Sequence, residues 1–234
     1  MHDKLQIKEL PWDTEFFGIA IGRLVVSDGV SASALAQALD ETDRQLVYVY
    51  IAPGNSATYH DVLAKHGGKP VESRICYTKR LVSGQMDRAL SGVRQISPEL
   101  ESLAYTSGWL SRFNADEGLR PKFKALYYKW LEKDLNGGKV MVVSRDSKIE
   151  GMVTASNKDG KGKIGLMCVD ESVRHHGVGT RLMRGVEAWL VSQGVTECEV
   201  VTQGSNVAAR RLYEHCGYTI ASEKDVWHVW IGGM

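Results

Sequence analysis

The segment Val173-Arg174-His175-His176-Gly177-Val178-Gly179-Thr180 carries the clearest chemistry in this chain. Its glycines let a backbone approach a ligand closely, and it opens a stretch in which Val178, Leu182, Val186 and Trp189 recur at helical spacing. The free N–H groups of a first helical turn are oriented donors at the positive end of the helix dipole, a setting that suits a diphosphate. Arg174, His175, His176, Arg181 and Arg184 add positive charge, with no acid between Val173 and Gly185. A tight turn without a ligand is the competing account of the two glycines. Further on, Asn206 and Tyr213 lie two helical turns apart and share a face, so both can address one ligand. The plain alternative for that pair is a helix N-cap and a core tyrosine.

Two nucleotide-binding classes fail on residues. A dinucleotide fingerprint needs a third glycine where Leu182 stands, and a Walker loop needs Gly-Lys-Ser/Thr where Gly179-Thr180-Arg181 stands. The pairs His175-His176 and His215-Cys216 are adjacent and lack zinc-site spacing. Cys76, Cys168, Cys198 and Cys216 form neither a CxxC nor a dense framework and read as reduced, buried thiols.

The elements that must position these residues follow from periodicity. The first eighty or so residues alternate: strand Ile19–Val26, helix Ala32–Asp40, strand Leu46–Ala52, helix Ala57–His66 and strand Val71–Leu81. The polar stretch Ser83–Ser91 is the expected boundary, dividing the chain into 1–88 and 89–234. Beyond it come a helix from Pro98, an irregular stretch Ser111–Pro121, and a helix Pro121–Leu135 with Phe123, Leu126, Trp130 and Leu131 on one face. Strands Val140–Arg145, Ile149–Asn157 and Lys163–Val169, separated by turn-rich segments, form an expected antiparallel meander. After the glycine loop and its helix follow a strand Glu197–Thr202, a short helix opened by Asn206 and stopped by Gly217, and strands Thr219–Lys224 and Val226–Ile231. Shifting by 149 positions lays Leu63, His66, Gly68 and Ser73 on Leu212, His215, Gly217 and Ser222, which reads either as a duplicated unit or as coincidence.

The two motifs together resemble those of the GNAT family of N-acetyltransferases. Arg174-x-x-Gly177-x-Gly179 is similar to its pyrophosphate loop, and Asn206-x-x-Ala209-x-x-Leu212-Tyr213-x-x-x-Gly217-Tyr218 to its second cofactor motif. The likeness covers roughly 94–234. It implies an α/β fold with a mixed, mostly antiparallel sheet flanked by helices, and acetyl-CoA as cofactor. It also implies that the loop residues Arg174, His175, His176, Gly177, Val178, Gly179 and Thr180 cradle the pyrophosphate. By the same resemblance the strand before the loop splays from its neighbour, so that the backbone of Met167, Cys168 and Val169 binds the pantetheine arm, and Asn206, with Ala209, meets that arm. A backbone N–H near Val169 would stabilise the oxyanion while Tyr213 protonates the leaving thiolate. Cys168 as a nucleophile finds no histidine partner in the sequence. No single residue stands out as the base.

The N-terminal part, with Leu10–Gly18 and Ser111-Arg112-Phe113, resembles the bacterial dTDP-fucosamine acetyltransferase type, in which a smaller, degenerate α/β domain precedes the catalytic one. That implies a nucleotide-linked amino sugar as acceptor, with Arg112 on its diphosphate and Trp12 or Phe17 stacking on a ring; packing and a surface ion pair are the plainer readings of these residues. Ala64 stands at the shifted counterpart of Tyr213, so this half is expected to be catalytically silent. A peptide or polyamine acceptor and a non-catalytic acyl-CoA sensor are the alternatives.

The charges, 29 Lys+Arg against 28 Asp+Glu, create no overall field for nucleic acid or an anionic membrane. No apolar run reaches the length of a bilayer span, and a cytoplasmic protein is expected. The aromatic segment Val226–Ile231 is a candidate surface for a homodimer.

Overall fold

The computed structural model describes residues 5–82 and 90–232. In chain order the elements are β1 (Lys8–Glu9), α1 (Pro11–Phe17), β2 (Ile21–Val26), α2 (Ala32–Asp40), β3 (Leu46–Ile51), α3 (Ser56–Lys65), β4 (Gly68–Arg80) and β5 (Ser91–Gly92). There follow α4 (Pro98–Ser107), α5 (Arg112–Ala115), α6 (Phe123–Gly137), β6 (Lys139–Arg145), β7 (Lys148–Lys158), β8 (Lys161–Val169), α7 (Val178–Ser192), β9 (Glu197–Gln203), α8 (Val207–His215) and β10 (Thr219–Trp230). The anticipated pair of final strands is one continuous strand of 12 residues. The segment around Trp12, expected only to precede a strand, is a helix with Pro11 at its first position, where a missing N–H costs nothing.

The chain divides into two compact units. The first comprises 1–74, 111–120 and 223–234, and the second 75–110 and 121–222. Both β4 and β10 therefore begin in one unit and end in the other, and no single cut at 88 separates them; residues 83–89 of the expected boundary lie outside the described residues.

In the second unit the strands follow the order β4-β9-β8-β7-β6-β5. Strands β6 to β8 are antiparallel neighbours, as the turn-rich connections require, β5 pairs antiparallel with β6, and β8 and β9 run parallel, joined by the crossover helix α7. Helix α7 buries Val178, Leu182, Met183, Val186 and Leu190, each no more than 3% exposed, in a core shared with Ile75, Tyr77, Val153, Ile164 and Tyr213. At about 1.5–3 kcal/mol for each large apolar side chain, this stripe rather than intrinsic propensity holds the helix in place. Leu182→Asp would place a charge in that core and break it.

In the first unit β2 pairs parallel with β3, and β10 pairs antiparallel with β3 from Asp225↔Ile51 to Trp230↔Leu46. That edge of the aromatic strand is thus occupied by its own chain and is not free for a second subunit. Helices α2 and α3 cover one face through Leu35, Leu39, Tyr59 and Leu63. The order β2-α2-β3-α3-β4 parallels β8-α7-β9-α8-β10, and in each series the first two strands are parallel. Each last helix is followed by a left-handed glycine, Gly67 at φ 78° and Gly217 at φ 84°. Aligned on those glycines, Leu63 rather than Ala64 stands opposite Tyr213, and neither carries a proton to give.

Candidate active site

Strand β8 supplies the central feature of the second unit. Its parallel ladder with β9 runs from Lys161↔Glu197 to Ile164↔Val200 and goes no further, although β8 continues to Val169 and β9 to Gln203. On its other side β8 stays paired with β7 at Met167, Cys168 and Val169. The last five residues of β8 therefore present an unladdered edge toward β9.

Which residues face that edge follows from strand alternation. Asp170 N–H donates to the Glu150 carbonyl of β7 at 2.8 Å, so the backbone groups of Asp170, and two residues back those of Cys168, turn toward β7. Met167 and Val169 then turn their N–H and C=O groups to the open side. Consistent with this, the Val169 carbonyl accepts the Arg174 Nε–H at 3.4 Å. Of the three β8 residues expected to offer backbone to a ligand, Met167 and Val169 turn theirs to the open side, whereas Cys168 is committed to the ladder. Its thiol is buried, which pushes its pKa up to about 11.

The register of β8 on β7 shifts between Val153 and Ala155. At that step Thr154, fully buried, accepts the Leu166 N–H at 2.8 Å and donates to Asp134 of α6 at 2.5 Å. A side chain thus replaces a ladder partner, and burial raises the Asp134 pKa.

The loop after β8 is built by local hydrogen bonds. Asp170 accepts the Ser172 N–H at 2.9 Å and caps a 3-10 turn over Glu171–Val173. His175 sits at φ 66° and Gly177 at φ 78°, so the backbone twice enters the left-handed region before α7 begins. Gly177 is the N-cap of α7 and makes no side-chain cap, leaving the N–H groups of Val178, Gly179 and Thr180 without intrahelical acceptors. His175 and His176 are exposed, and His176 Nδ1 lies 2.9 Å from the Arg174 carbonyl. Gly179 has another reason to be glycine: a Cβ there would stand 3.0 Å from Leu212 Cδ2, so this residue lets α7 and α8 pack closely.

Asn206 caps α8, its Oδ1 accepting the Ala209 N–H at 3.2 Å, which leaves its amide N–H groups as donors. Tyr213, in the last turn of α8, is 5% exposed and lies against Tyr77 and Tyr218 at ring-centroid distances of 5.8 and 6.2 Å. Burial pushes its hydroxyl well above the usual tyrosine pKa, so it is protonated at neutral pH. Tyr77 donates to Glu214 at 2.7 Å, tying β4 to α8 beside it.

Of the residues singled out in the first unit, Phe17 and Arg112 are engaged in packing and ion-pair contacts and Trp12 is exposed. Phe17 is 8% exposed and stacks on Phe113 at 6.1 Å. Arg112 is held within the unit: its Nη1 donates to Tyr50 at 2.8 Å and lies 3.5 Å from Glu72, whose other oxygen accepts the Arg112 backbone N–H at 3.0 Å. Its guanidinium lies 4.5 Å from the Phe113 ring centroid. Its Nε is buried with no hydrogen-bond partner among the described residues. Trp12 alone is exposed, at 48%, stacked on Phe16 at 5.2 Å.

Two residues that sequence reasoning missed form a buried pair in the same unit. Asp116 accepts from His228 Nδ1 at 2.5 Å, from Trp230 Nε1 at 3.1 Å, and from the Gly118 and Leu119 N–H groups. Burial opposes ionisation of Asp116, but these four donors hold its pKa below the usual value. Burial lowers His228 to about 4 against the pull of Asp116, so the imidazole is neutral. The one available signal was a histidine between apolar neighbours in a strand; its partner lies 112 positions away.

Residues 103–218, just under half of the chain, match the acetyltransferase (GNAT) family. Among solved structures the chain is similar to a GCN5-related N-acetyltransferase from Sphaerobacter thermophilus, with 18% identity over 81% of this chain and 61% of that one, at a TM-score of 0.52. It is also similar to a functionally unknown conserved protein from Staphylococcus epidermidis, with 11% identity over 99% and 93% of the two chains and a TM-score of 0.66. A tandem GNAT protein from the clavulanic acid biosynthesis pathway aligns at 14% identity over 89% and 74%, with a TM-score of 0.52. These likenesses establish the fold, a mixed α/β architecture with a mostly antiparallel sheet, and the chain spans less than two thirds of the Sphaerobacter protein. No curated protein matches the sequence. Among the described residues no helix is long and apolar enough to cross a membrane, and no group of three potential metal ligands occurs.

Proposed function

We propose that this chain, whose residues 103–218 match the GNAT acetyltransferase family, transfers an acetyl group from acetyl-CoA directly to a primary amine. The observation that carries the reading is the opening of β8 from β9 beyond Ile164, immediately before a helix N-terminus with free N–H groups. An extended amide-bearing arm fits the exposed backbone of Met167 and Val169, and a diphosphate fits the first turn of α7 with Arg174, His175 and His176 around it. Asn206 offers amide donors to the arm.

Acetyl-CoA, when bound, supplies the thioester whose acyl carbon the neutral amine attacks. The Met167 or Val169 N–H stabilises the charge that develops on the acyl oxygen. As the C–N bond forms and the C–S bond breaks, Tyr213 donates its proton to the sulfur and regains one from the nitrogen, directly or through water. The proton balance thus closes without a covalent enzyme intermediate, in keeping with a Cys168 thiol that is fully protonated at neutral pH.

The acceptor is a small-molecule amine. A nucleotide-linked amino sugar belongs in any panel, but its diphosphate would have to be recognised without Arg112. The repeated element order of the first unit, and the tandem GNAT architecture of the clavulanic acid pathway protein, support reading that unit as a degenerate GNAT-like domain. The test is thiol release from acetyl-CoA with a panel of amines, including dTDP-amino sugars, in wild type and Tyr213→Phe. Loss of the phenol is expected to lower kcat about 10²–10⁴-fold and leave acetyl-CoA affinity within about twofold. A Tyr213→Phe enzyme with unchanged kcat would remove the proton-donor role, and no acetyl-CoA binding by wild type would remove the whole reading.

A further inference from the structure

Acetyl transfer to an amine leaves one proton unassigned. A primary alkylamine is an ammonium ion at neutral pH and must lose a proton before its nitrogen can attack, while the Tyr213 proton goes to the sulfur. Other carboxylates of the second unit are engaged: Glu150 pairs with Arg145 at 3.1 Å, Glu187 with Lys79 at 2.8 Å, and Asp170 accepts the Ser172 N–H. Asp134 is placed differently. Its Oδ2 accepts from Thr154, and its Oδ1 has no partner among the described residues. The residue is half-buried, yet Oδ1 retains solvent-accessible surface.

That carboxylate stands where β8 leaves β9. A Cβ built on Gly165 would lie 2.7 Å from Asp134 Oδ2 and 2.6 Å from Thr154 Oγ1, so the carboxylate sits directly over Gly165. Gly165 is the first residue of β8 beyond Ile164, the last rung of the ladder to β9. A side chain there would occupy the place that Asp134 holds. Strand alternation gives the face: Val153 and Ala155 lie in the α7 core with Tyr213, so Thr154 between them, and Asp134 with it, lie on the opposite face. Acid and base thus reach the opening from its two sides. Met167, whose N–H turns to the opening, is two residues past Gly165, about 6.6 Å along the strand. That is too far for direct proton transfer and close to the reach of two hydrogen bonds of about 2.8 Å through one water.

We propose that Asp134 is the base of the reaction, taking through one water the proton that the acceptor ammonium sheds before attack, with Thr154 as a positioning residue that holds Oδ2 and leaves Oδ1 for the water. Burial raises the Asp134 pKa against the Thr154 hydrogen bond and the charges of Lys133 on α6 and Lys163 on β8, which makes the carboxylate a stronger base. The protons balance. The water gives one proton to Oδ1 as it takes one from the ammonium, and the neutral amine forms the C–N bond. The nitrogen then loses its second proton to replenish Tyr213, and Asp134 releases its proton to solvent. This inference rests on the acetyltransfer reading and supplies the base it lacks.

The test compares the full-length wild type with Asp134→Asn, an isostere that can still accept from Thr154. Thiol release from acetyl-CoA is followed with the alkylamines of the panel and ethanolamine, all ammonium ions at neutral pH, and with hydroxylamine, which is mostly free base there. Asp134→Asn is expected to lower kcat/KM for the alkylamine acetylated fastest by about 10²-fold or more at neutral pH. The deficit should shrink about tenfold per pH unit on raising the pH, as free amine forms without the base. Hydroxylamine, with no proton to shed beforehand, should change less than about threefold, and acetyl-CoA affinity by calorimetry less than about twofold. Without acetyl-CoA, the Asp134 carboxyl carbon followed by ¹³C NMR should titrate above the ordinary aspartate range. An alkylamine rate unchanged in Asp134→Asn, an equal loss with alkylamine and hydroxylamine, or a carboxyl that titrates below the ordinary range would each overturn this base and leave acetyl transfer standing. A wild type that releases thiol with none of these amines would remove the acetyltransfer reading and this inference with it.

Discussion

Replacing Gly177 by alanine separates the ligand-cradle account of the α7 N-terminus from the account in which its glycines merely make a turn. No atom lies within 4 Å of a Cβ built at Gly177, so the substitution meets no steric neighbour. The cost is conformational: φ is 78°, in the left-handed region where an L-residue with a Cβ pays about 1–2 kcal/mol. His175, already at φ 66°, bears a similar strain two residues earlier, so the loop has little freedom to share the burden. If the strained loop holds, the whole cost falls on folding and appears in urea denaturation. If the loop relaxes instead, the N–H groups of Val178, Gly179 and Thr180 lose their alignment. Acetyl-CoA affinity, read by calorimetry, then falls by the same energy, about 5–30-fold. The two readouts should sum to about 1–2 kcal/mol, and Gly177→Asn should recover part of it, because asparagine tolerates left-handed backbone. An alanine variant with wild-type stability and wild-type acetyl-CoA affinity would refute the reasoning. So would an asparagine variant no better than alanine.

Three further outcomes follow from the same geometry. Cys168→Ala should leave kcat within about twofold, because a thiol pushed up to about 11 is not a thiolate at neutral pH; an acetylated Cys168 detected by mass spectrometry would contradict this. Thr154→Val removes the acceptor of the Leu166 N–H and the donor to Asp134 at once, so unfolding by urea should show a loss of about 2–4 kcal/mol; a loss under 1 kcal/mol would mean that the β7–β8 step closes without it. Stability should fall on acidification between pH 6.5 and 4. His228 has a folded pKa depressed below its unfolded value, so there the unfolded chain binds a proton that the folded chain does not. The slope contributed is at most about 1.4 kcal/mol per pH unit, and it should vanish in His228→Asn; an equally steep acid limb in that variant would assign the effect elsewhere.

What the sequence determined by itself is whatever repeats over a few residues. The 3.6-residue stripe of α7, the two-residue alternation of the β6–β8 meander, the Asn206 cap and the left-handed glycine after α8 are local solutions to local hydrogen-bonding and burial demands. They lie close to where periodicity put them. The order of the two cofactor motifs was legible for the same reason, since each is one loop or one helix.

What needed the tertiary structure depends on a partner distant in the chain. The family resemblance implied a splay before the glycine loop, but nothing local says where β8 leaves β9, or that Met167 and Val169 rather than Cys168 face the opening, because the side to which a backbone N–H turns is set by the register of the neighbouring strand. Gly179 read as ligand clearance until Leu212, 33 residues on, proved to need the space. Arg112 read either as a diphosphate ligand or as part of a surface ion pair, and the structure sets it against Glu72 and Tyr50; His228 read as one more residue of an aromatic strand until Asp116 fixed its tautomer. In each case the residue type and its spacing are compatible with several environments. Burial then selects one, because it makes an unpaired charge or an unsatisfied donor too costly to keep.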